Sequence, residues 1–320
     1  MENKRKELLK KLGAWAAAAL IIGYLFFRID TETFFSAIKL ADMTLYLPLF
    51  GVFIILWFLI ESQNILVVCK HLGHRLRFQQ IMDIRGVTYL LMIVNPFLGL
   101  GGIAYYLKKE TGIALSRTSS IMIFYSFTEM MSLFYFVTAG TFILSKDSYF
   151  FKHLFFWSFG SVLFYVVVIY LMRRFPTKGV FKKLAGSTLL GTFFDAKSIS
   201  FFILPLWRGL YFLAFVVFFY FGLQTFSIHI PIVKLLVYVP LIFWIGCWPI
   251  TPFGLGTIQA SMVYFFREYA TEANILAFSI TYSTLLILFR VPIGLYYLKK
   301  LNASPVIPDV DAISAGRSDD

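Results

Sequence analysis

Residues 95–102 read NPFLGLGG, and residues 251–257 read TPFGLGT. Each stretch interrupts a long apolar segment, the first at 86–107 and the second at 231–270. Because proline and repeated glycine remove hydrogen bonds and conformational order from a helix, each segment is predicted to be broken rather than to cross as one straight helix. The residues expected at the breaks are Pro96, Gly101 and Gly102 in the first segment and Pro252, Gly254 and Gly256 in the second.

The composition around these breaks is that of a membrane protein. Of the 320 residues, 59% are hydrophobic and 14% are charged, whereas globular domains have roughly 45–50% and about 25%. Helical spans of about 20 residues leave no room for a soluble domain beside them. No ten-residue stretches alternate in the way that barrel strands do, so we predict an all-α integral membrane protein.

Apolar runs bounded by charged residues predict about six transmembrane helices in addition to the two broken segments. The first is expected to be an uncleaved, signal-like helix, because no small-residue cleavage site follows it. Residues 1–300 are thus expected to form one polytopic domain, and residues 301–320 a disordered tail. The predicted helices lie at 12–28, 44–69, 118–144, 154–172, 201–222 and 275–298.

The 29 Lys and Arg residues indicate how the broken segments sit in the membrane. If each segment is a re-entrant hairpin that returns to the face it entered, 21 of the 29 collect on one side, Arg85 among them, and five on the other. If segment 86–107 crossed once, the split would be 12 against 14. Since basic residues favour the cytoplasmic side, the sequence predicts a re-entrant first hairpin and an inner-membrane protein with both termini cytoplasmic. For the second segment the rule is silent, because two short spans and one re-entrant hairpin return to the same face.

The two broken segments also predict an internal repeat. Each is flanked by long helices, which gives repeat units of about 44–144 and 201–298 with opposite membrane orientation. Inverted repeats with discontinuous segments near the midplane are a recurring plan of secondary transporters. The alternative is that proline and glycine are merely frequent in membrane helices and that the likeness is chance.

Four ionisable residues lie inside the predicted spans: Glu61, Glu129, Arg208 and Arg290. A lone charge at the bilayer centre costs roughly 2.5–3.5 kcal/mol on insertion scales, so these residues should pair or face a hydrated cavity. Two interpretations stay open: salt bridges that hold the bundle together, with Glu129 as the expected partner of Arg290, or a site for a lipid headgroup. The broken segments add Asn95, Thr251 and Gln259 to the predicted headgroup site.

No metal or cofactor site is predicted. Cys69 and Cys247 are far apart, and His71 and His74 have no acidic neighbours that would complete a metal site. The GxxxxGK[ST] motif that binds nucleotide phosphates is absent from the sequence. The net charge of +12 is explained by membrane topology, so nucleic acid is not an expected partner.

These motifs resemble a known family. The TPFGLG stretch at 251–256 and the later helix that bears Arg290 are similar to motifs of the transmembrane, flippase-like domain of the lysylphosphatidylglycerol synthase family, which has stand-alone members without the synthase domain. The earlier Asn95 and Pro96, the pair Gly101 and Gly102, and the basic link that follows are similar to the first half of that domain. The likeness spans roughly residues 10–300.

Two positions depart from the family pattern. Gln259 stands where the family commonly has Glu, and Ile103 follows the first glycine pair where the family often has Arg. The identity of the headgroup is therefore not carried over from the resemblance. Without a synthase domain, no synthesis of lysyl lipid is expected.

The resemblance and the buried charges together predict a lipid flippase-like transporter that moves a phospholipid or a lipid-linked headgroup between leaflets. Arg208 and Arg290 would bind phosphate, and Glu61 and Glu129 would carry protons. The expected partners are membrane lipids with anionic or polar headgroups, a second copy of the chain, or an envelope-synthesis enzyme.

Two alternatives stay open. A membrane glycosyl or phosphoryl transferase acting on a lipid carrier would use the acidic residues Asp30 and Glu32 in the first outer loop. A non-transporting scaffold for envelope-lipid synthesis would need no catalytic residue at all.

Overall fold

The computed structural model describes residues 31–94, 96–144, 149–246 and 256–303. Within these ranges every regular element is a helix. In chain order the α-helices are α1 (Thr31–Leu40), α2 (Met43–His71), α3 (Phe78–Val94), α4 (Pro96–Thr111), α5 (Leu115–Leu144), α6 (Tyr149–Arg174), α7 (Gly179–Ala185), α8 (Gly191–Asp195), α9 (Ser200–Gln224), α10 (Ile232–Gly246), α11 (Thr257–Phe266) and α12 (Glu272–Ala303).

Five of these helices, α2, α5, α6, α9 and α12, are long and apolar enough to cross a membrane. They measure about 37–48 Å, against a hydrocarbon core of about 30 Å. The predicted class, an all-helical multi-pass membrane protein, is therefore confirmed. Each of the five helices is three to eight residues longer than the corresponding predicted span. The span predicted at 12–28 and most of the tail predicted at 301–320 lie outside the described residues.

The first broken segment folds as two short helices, α3 and α4, which meet at residue 95. A Cβ placed on Gly99 would lie 2.1 Å from Cγ of Met92, and one on Gly102 would lie 2.4 Å from Cδ1 of Leu91. Residue numbers therefore rise along one helix as they fall along the other, so the two helices run antiparallel. We call this pair hairpin 1. Each of its helices is about 25 Å long, which is shorter than the hydrocarbon core.

The glycine run is not part of the break, contrary to the prediction. Gly101 and Gly102 lie inside α4, and Pro96 is its first residue. Proline at the first helical position costs no hydrogen bond, so the helix resumes directly after residue 95. Gly102 then allows α4 to approach Leu91 of α3 closely, which offsets the low helix propensity of glycine.

The second broken segment contains α10 and α11, which we call hairpin 2. A Cβ on Gly246 would lie 2.7 Å from Cγ1 of Ile258, and the rings of Tyr238 and Phe265 stack with their centroids 5.2 Å apart. These two helices are therefore also antiparallel. The predicted residues Thr251, Pro252 and Gly254 lie outside the described residues, as does Asn95 in hairpin 1.

Contacts between helix ends define two faces of the bundle. At the first, which we call the basic face, α2 and α12 end and α5 and α9 begin. Lys300 near the end of α12 pairs there with Asp83 near the start of α3 at 2.6 Å. At the opposite face α2 begins and α9 ends, and the backbone N–H of Asp42 donates to the carbonyl of Thr225 at 2.9 Å. The 29 residues of α2 separate the two faces by about 43 Å.

The two hairpins start and end at different faces. Both ends of hairpin 1 lie at the basic face, where Nε2 of Gln80 donates to the carboxylate of Glu110 at 3.0 Å. Both ends of hairpin 2 lie at the opposite face, where Nζ of Lys234 is 5.3 Å from the ring centroid of Tyr269.

An order of long, short, short and long helix occurs twice, as α2 to α5 and as α9 to α12. Each hairpin packs against the last long helix of the other set. In hairpin 1, a Cβ on Gly86 would lie 2.1 Å from Cδ2 of Tyr297 in α12. In hairpin 2, Val237 packs on Gly140 of α5, where a Cβ would lie 2.4 Å from Cγ2 of the valine.

Two short helices that the sequence did not predict, α7 and α8, follow α6 at the basic face. Arg117 at the start of α5 pairs with Asp195 of α8 at 2.5 Å. Arg173 near the end of α6 donates to the backbone carbonyls of Phe194 and Ala196. These contacts tie the basic ends of α5 and α6 together.

Candidate functional site

Five charged side chains meet deep in the bundle, between the two faces. Counted along their helices, they lie about 10–21 Å from the basic face. Two are carboxylates and three are guanidinium groups. We call this set the central cluster: Glu61, Arg85, Glu129, Arg208 and Arg290.

The first pair of the cluster joins α2 to hairpin 1. Oε2 of Glu61 accepts hydrogen bonds from Nε of Arg85 at 3.0 Å, from Nη2 of Arg85 at 2.5 Å and from the hydroxyl of Tyr89 at 3.1 Å. All three side chains are buried. The ion pair is thus enclosed by protein and supported by a third donor, the arrangement in which a buried charge is tolerated.

The second pair joins α9 to α5. Nη2 of Arg208 lies 2.8 Å from Oε2 of Glu129. The guanidinium also lies over the ring of Tyr125, with Cζ 4.1 Å from the centroid, and 5.2 Å from the ring centroid of Tyr211. Arg208 is buried, yet its Nε and Nη1 have no hydrogen-bond partner among the described residues.

Arg290 of α12 completes the cluster and has no carboxylate partner among the described residues. Its Cζ lies 4.8 Å from the ring centroid of Trp57 and 5.4 Å from that of Tyr89. Such cation–π contacts partly offset the cost of a buried guanidinium. Nε of Arg290 and Nε1 of Trp57 are both buried without a hydrogen-bond partner in the described part of the chain.

Aromatic side chains connect the pairs into one site. Tyr89 contacts the first pair and Arg290, while Tyr125 and Tyr211 lie within electrostatic range of both carboxylates. Trp57 lies beside Tyr211, with ring centroids 6.2 Å apart. With three guanidinium groups facing two carboxylates, the central cluster carries one positive charge that no described residue compensates.

The structure brings all four predicted span charges into this cluster, but the predicted pairing was wrong. Glu129 pairs with Arg208 and not with Arg290, because α9 is the helix that packs beside this part of α5. Arg85, which the distribution of Lys and Arg residues assigned to the cytoplasmic side, is 3% exposed and pairs with Glu61. The predicted segment began one residue later, at 86, so Arg85 was counted as a loop residue. Its position at the edge of an apolar run carries no signal that places it inside the helix.

Gln259, another predicted headgroup ligand, is already engaged on both sides. Its carbonyl accepts the backbone N–H of Gly256 at 2.6 Å and so caps the start of α11. Its Nε2 donates to Oγ of Ser283 in α12 at 3.0 Å. At 2% exposure, Gln259 fixes hairpin 2 to α12, and both polar atoms of its side chain already have partners in the protein.

A cavity of about 640 Å³ lies apart from the central cluster, between α5 and α6. Its walls are mostly apolar and aromatic, including Phe127, Phe134 and Phe164. The two hydroxyl groups in its lining are satisfied internally, because Ser161 donates to the carbonyl of Trp157 and Tyr165 donates to that of Phe201. The cavity suits hydrocarbon and offers nothing to a charged headgroup.

The comparisons with known proteins agree with the resemblance seen in the sequence. The profile of the family described as the lysylphosphatidylglycerol synthase TM region matches residues 12–294, which is nearly the whole chain. No curated protein and no solved structure shows a significant match.

Proposed function

The chain belongs to the lysylphosphatidylglycerol synthase TM region family, and we propose that it is a lipid flippase-like transporter for a phospholipid or lipid-linked headgroup. The family indicates a function related to membrane lipids. The proposal goes further and names movement of an anionic headgroup between leaflets. Its anchor is the central cluster.

The uncompensated positive charge of the central cluster carries this proposal. A buried positive charge without a counter-ion is costly in a membrane, so an anionic ligand would gain affinity there. Arg208 and Arg290 both present buried N–H groups without partners among the described residues. Guanidinium groups bind phosphate oxygens through several charge-assisted hydrogen bonds at once. An anionic phospholipid headgroup has the charge and the acceptors that this site lacks.

We further propose that the two hairpins are re-entrant and form an inverted repeat. Hairpin 1 has both ends at the basic face and hairpin 2 has both ends at the opposite face, which supports opposite entry into the membrane. None of their four helices is among the five that are long enough to cross. Two half-membrane hairpins entered from opposite sides would allow access to the central cluster from either side in turn.

The basic face would then be cytoplasmic, with both termini on that side of an inner membrane. Lys108, Arg117, Arg173 and Lys300 all lie near helix ends at this face, as the charge bias of membrane proteins requires. Cysteine replacements at Lys109 and Lys178, in a background without native cysteines, should both react with an impermeant thiol reagent only from the cytoplasmic side. Labelling of position 109 from the outside, with position 178 protected, would make hairpin 1 a full crossing.

The functional test is lipid translocation in vesicles. Purified protein would be reconstituted with a headgroup-labelled phospholipid, and a membrane-impermeant quencher added outside would report the labelled lipid that reaches the outer leaflet. We expect the fluorescence to fall faster with the wild-type protein than in protein-free vesicles. With Arg290→Gln, we expect the rate to be close to that of protein-free vesicles. Arg77→Gln, which changes an exposed arginine at the basic face, is the matched control and should translocate normally.

The same vesicles distinguish the alternatives. A lipid-carrier transferase would convert the labelled lipid into a new species, which chromatography of the extracted lipids would detect. A scaffold would neither move nor convert it. Glu32, the described member of the acidic pair expected for a transferase, is an exposed residue in the first turn of α1.

A further inference from the structure

The two ion pairs of the central cluster are built differently. Glu61 is 4% exposed and one of its oxygens accepts three hydrogen bonds. The side chain of Glu129 is 30% exposed, and its described partner is one nitrogen of Arg208. The first carboxylate is held by protein on all sides, whereas the second is free to move away from its partner.

Glu129 also covers Arg208. The guanidinium contacts three described side chains: Tyr125, Tyr211 and Glu129. The tyrosines are 3% and 8% exposed, so they are fixed in the protein core, and Glu129 is the contact with open space on its far side. A ligand from outside the bundle therefore reaches Arg208 when the Glu129 side chain turns away.

Arg208 has more donors than Glu129 uses. A guanidinium carries five N–H groups and no acceptor. Glu129 approaches Nη2, while Nε and Nη1 are buried without partners in the described residues. A phosphodiester presents several acceptor oxygens and so can bond to nitrogens that a single carboxylate oxygen leaves unsatisfied.

We propose that Arg208 exchanges its partner Glu129 for the phosphate of the headgroup, while the pair of Glu61 and Arg85 stays closed as a structural tie between α2 and hairpin 1. This deepens the proposed function, on which it rests, by assigning different roles to the two acidic residues. A phosphodiester carries one negative charge, the same as the carboxylate that it would replace beside Arg208. Glu129 is thus a competitor that holds the site when no lipid is bound.

A binding assay tests the exchange without requiring transport. The full chain in detergent would be titrated with phosphatidylmethanol, whose headgroup is a bare phosphodiester, and with diacylglycerol of the same acyl chains, and bound lipid would be counted by native mass spectrometry. We expect the wild type to prefer phosphatidylmethanol. Glu129→Gln should bind it about tenfold more tightly, because the competing carboxylate is gone, and Arg208→Gln should show no preference.

Two control variants separate the exchange from general charge effects. Glu268→Gln makes the same charge change at an exposed position near the opposite face and should leave the preference unchanged. Glu61→Gln should lower the melting temperature, since it removes the negative charge that compensates the buried Arg85, and should not tighten phosphatidylmethanol binding. The proposal is wrong if Glu129→Gln binds no more tightly than wild type, or if it lowers the melting temperature as much as Glu61→Gln does.

Inorganic phosphate is the last ligand to test in the binding assay. If phosphate alone binds with the affinity found for phosphatidylmethanol, the site is one for a free anion, and the lipid headgroup is not its ligand. The translocation assay tests the transporter proposal, whereas the binding assay tests the exchange of partners, so either proposal can be refuted without the other. If Glu129→Gln binds lipid more tightly but the protein moves no lipid, the exchange stands and the transporter proposal is refuted. If the protein moves lipid and Glu129→Gln changes neither binding nor translocation, the transporter proposal stands and the exchange is refuted.

Discussion

Hairpin 1 and hairpin 2 carry nearly the same motif and fold it differently. In hairpin 1 the motif is helical almost from its start: α4 begins at Pro96, and Gly101 lies within it. In hairpin 2 the corresponding glycine, Gly256, precedes the helix and has a φ of 85°, a conformation that side-chain-bearing residues rarely adopt. The last glycine of the Gly-Leu-Gly run is therefore inside a helix in one hairpin and directly before the start of a helix in the other.

The difference lies in what each hairpin packs against. Gly99 and Gly102 of α4 lie against Met92 and Leu91, so continuing the helix brings α3 and α4 into close contact. In hairpin 2 the helix starts later, where Gln259 caps the N–H of Gly256. A repeated motif thus predicts where the chain turns, while the neighbouring side chains decide where the helix resumes.

The largest expected effect concerns the contact of hairpin 1 with α12. A Cβ on Gly86 would lie within 2.8 Å of Cβ, Cγ and Cδ2 of Tyr297, atoms so close to the backbone that the ring cannot turn away. Gly86→Ala should therefore cost about 3 kcal/mol, at the upper end of overpacking penalties. Thermal unfolding in detergent would measure it.

Gly140→Ala is the matched substitution for hairpin 2. Its closest contact is a single methyl group of Val237, so we expect a smaller loss of about 1 kcal/mol. If Gly140→Ala destabilises the protein as much as Gly86→Ala, the two hairpins depend equally on glycine contacts and the contrast between them fails at this interface.

The next prediction concerns the change in stability when the equivalent glycines of the two motifs are replaced by alanine. Gly256→Ala should cost about 2 kcal/mol, since alanine is strained at a φ of 85°. Gly101→Ala should stabilise the protein by roughly 0.5–1 kcal/mol, because a Cβ there meets no atom within 4 Å and alanine favours the helix. Melting temperatures that shift in opposite directions would support the comparison, and a shared direction would contradict it.

A smaller effect is expected from the hydrogen bond of Gln259, at a position where the family commonly has Glu. The hydroxyl of Ser283 donates its proton to the carbonyl of Ser279 at 2.9 Å. It can therefore only accept a hydrogen bond from the side chain at position 259. A carboxylate has no N–H for this bond, so about 1–1.5 kcal/mol of the cost of Gln259→Glu should come from the lost hydrogen bond, and the rest from burying a charge at a site that is 2% exposed. In a Ser283→Ala background the same change should cost clearly less. An equal cost in both backgrounds would mean that the bond to Ser283 contributes nothing.

Much of the architecture could be predicted from the sequence, because apolar runs and rare buried charges leave strong signals. The long helices were found within a few residues, and Glu61, Glu129, Arg208 and Arg290 were recognised as special because each interrupts an apolar run. The presence of a charge inside a span is a local property, so one sequence is enough to find it.

The pairing of those charges could not be predicted, because it depends on which helices are neighbours in space. Arg208 meets Glu129 because α9 packs on α5. Arg85 was missed because an arginine near the start of an apolar run looks the same in sequence whether it lies in a loop or two turns inside a helix. The orientation of Gly101 away from α3 is likewise set by helix rotation, which the motif does not encode.

The smallest expected effect is a pH dependence at the base of hairpin 1. His74 lies in the link between α2 and α3 and lines a small gap with Leu107 and Thr111 of α4. Burial of the imidazole, together with the nearby Arg117, lowers the pKa of His74 below its usual value of 6.5. Its Nε2 is buried without a hydrogen-bond partner in the described residues, so a proton added there would find no acceptor.

The sign of the effect follows from linkage. Because the pKa of His74 is lower in the folded than in the unfolded protein, the unfolded chain binds more protons just below pH 6.5, and stability rises with pH in that window. The contribution of neutral His74 is therefore complete above pH 6.5 and is lost as the pH falls towards the folded-state pKa. We expect the melting temperature to fall between pH 7.5 and 5.5 by more in the wild type than in His74→Gln. If both proteins lose the same number of degrees, the pH dependence arises elsewhere, and the base of hairpin 1 is no more sensitive to protonation than that of hairpin 2, where His229 in the link between α9 and α10 is exposed.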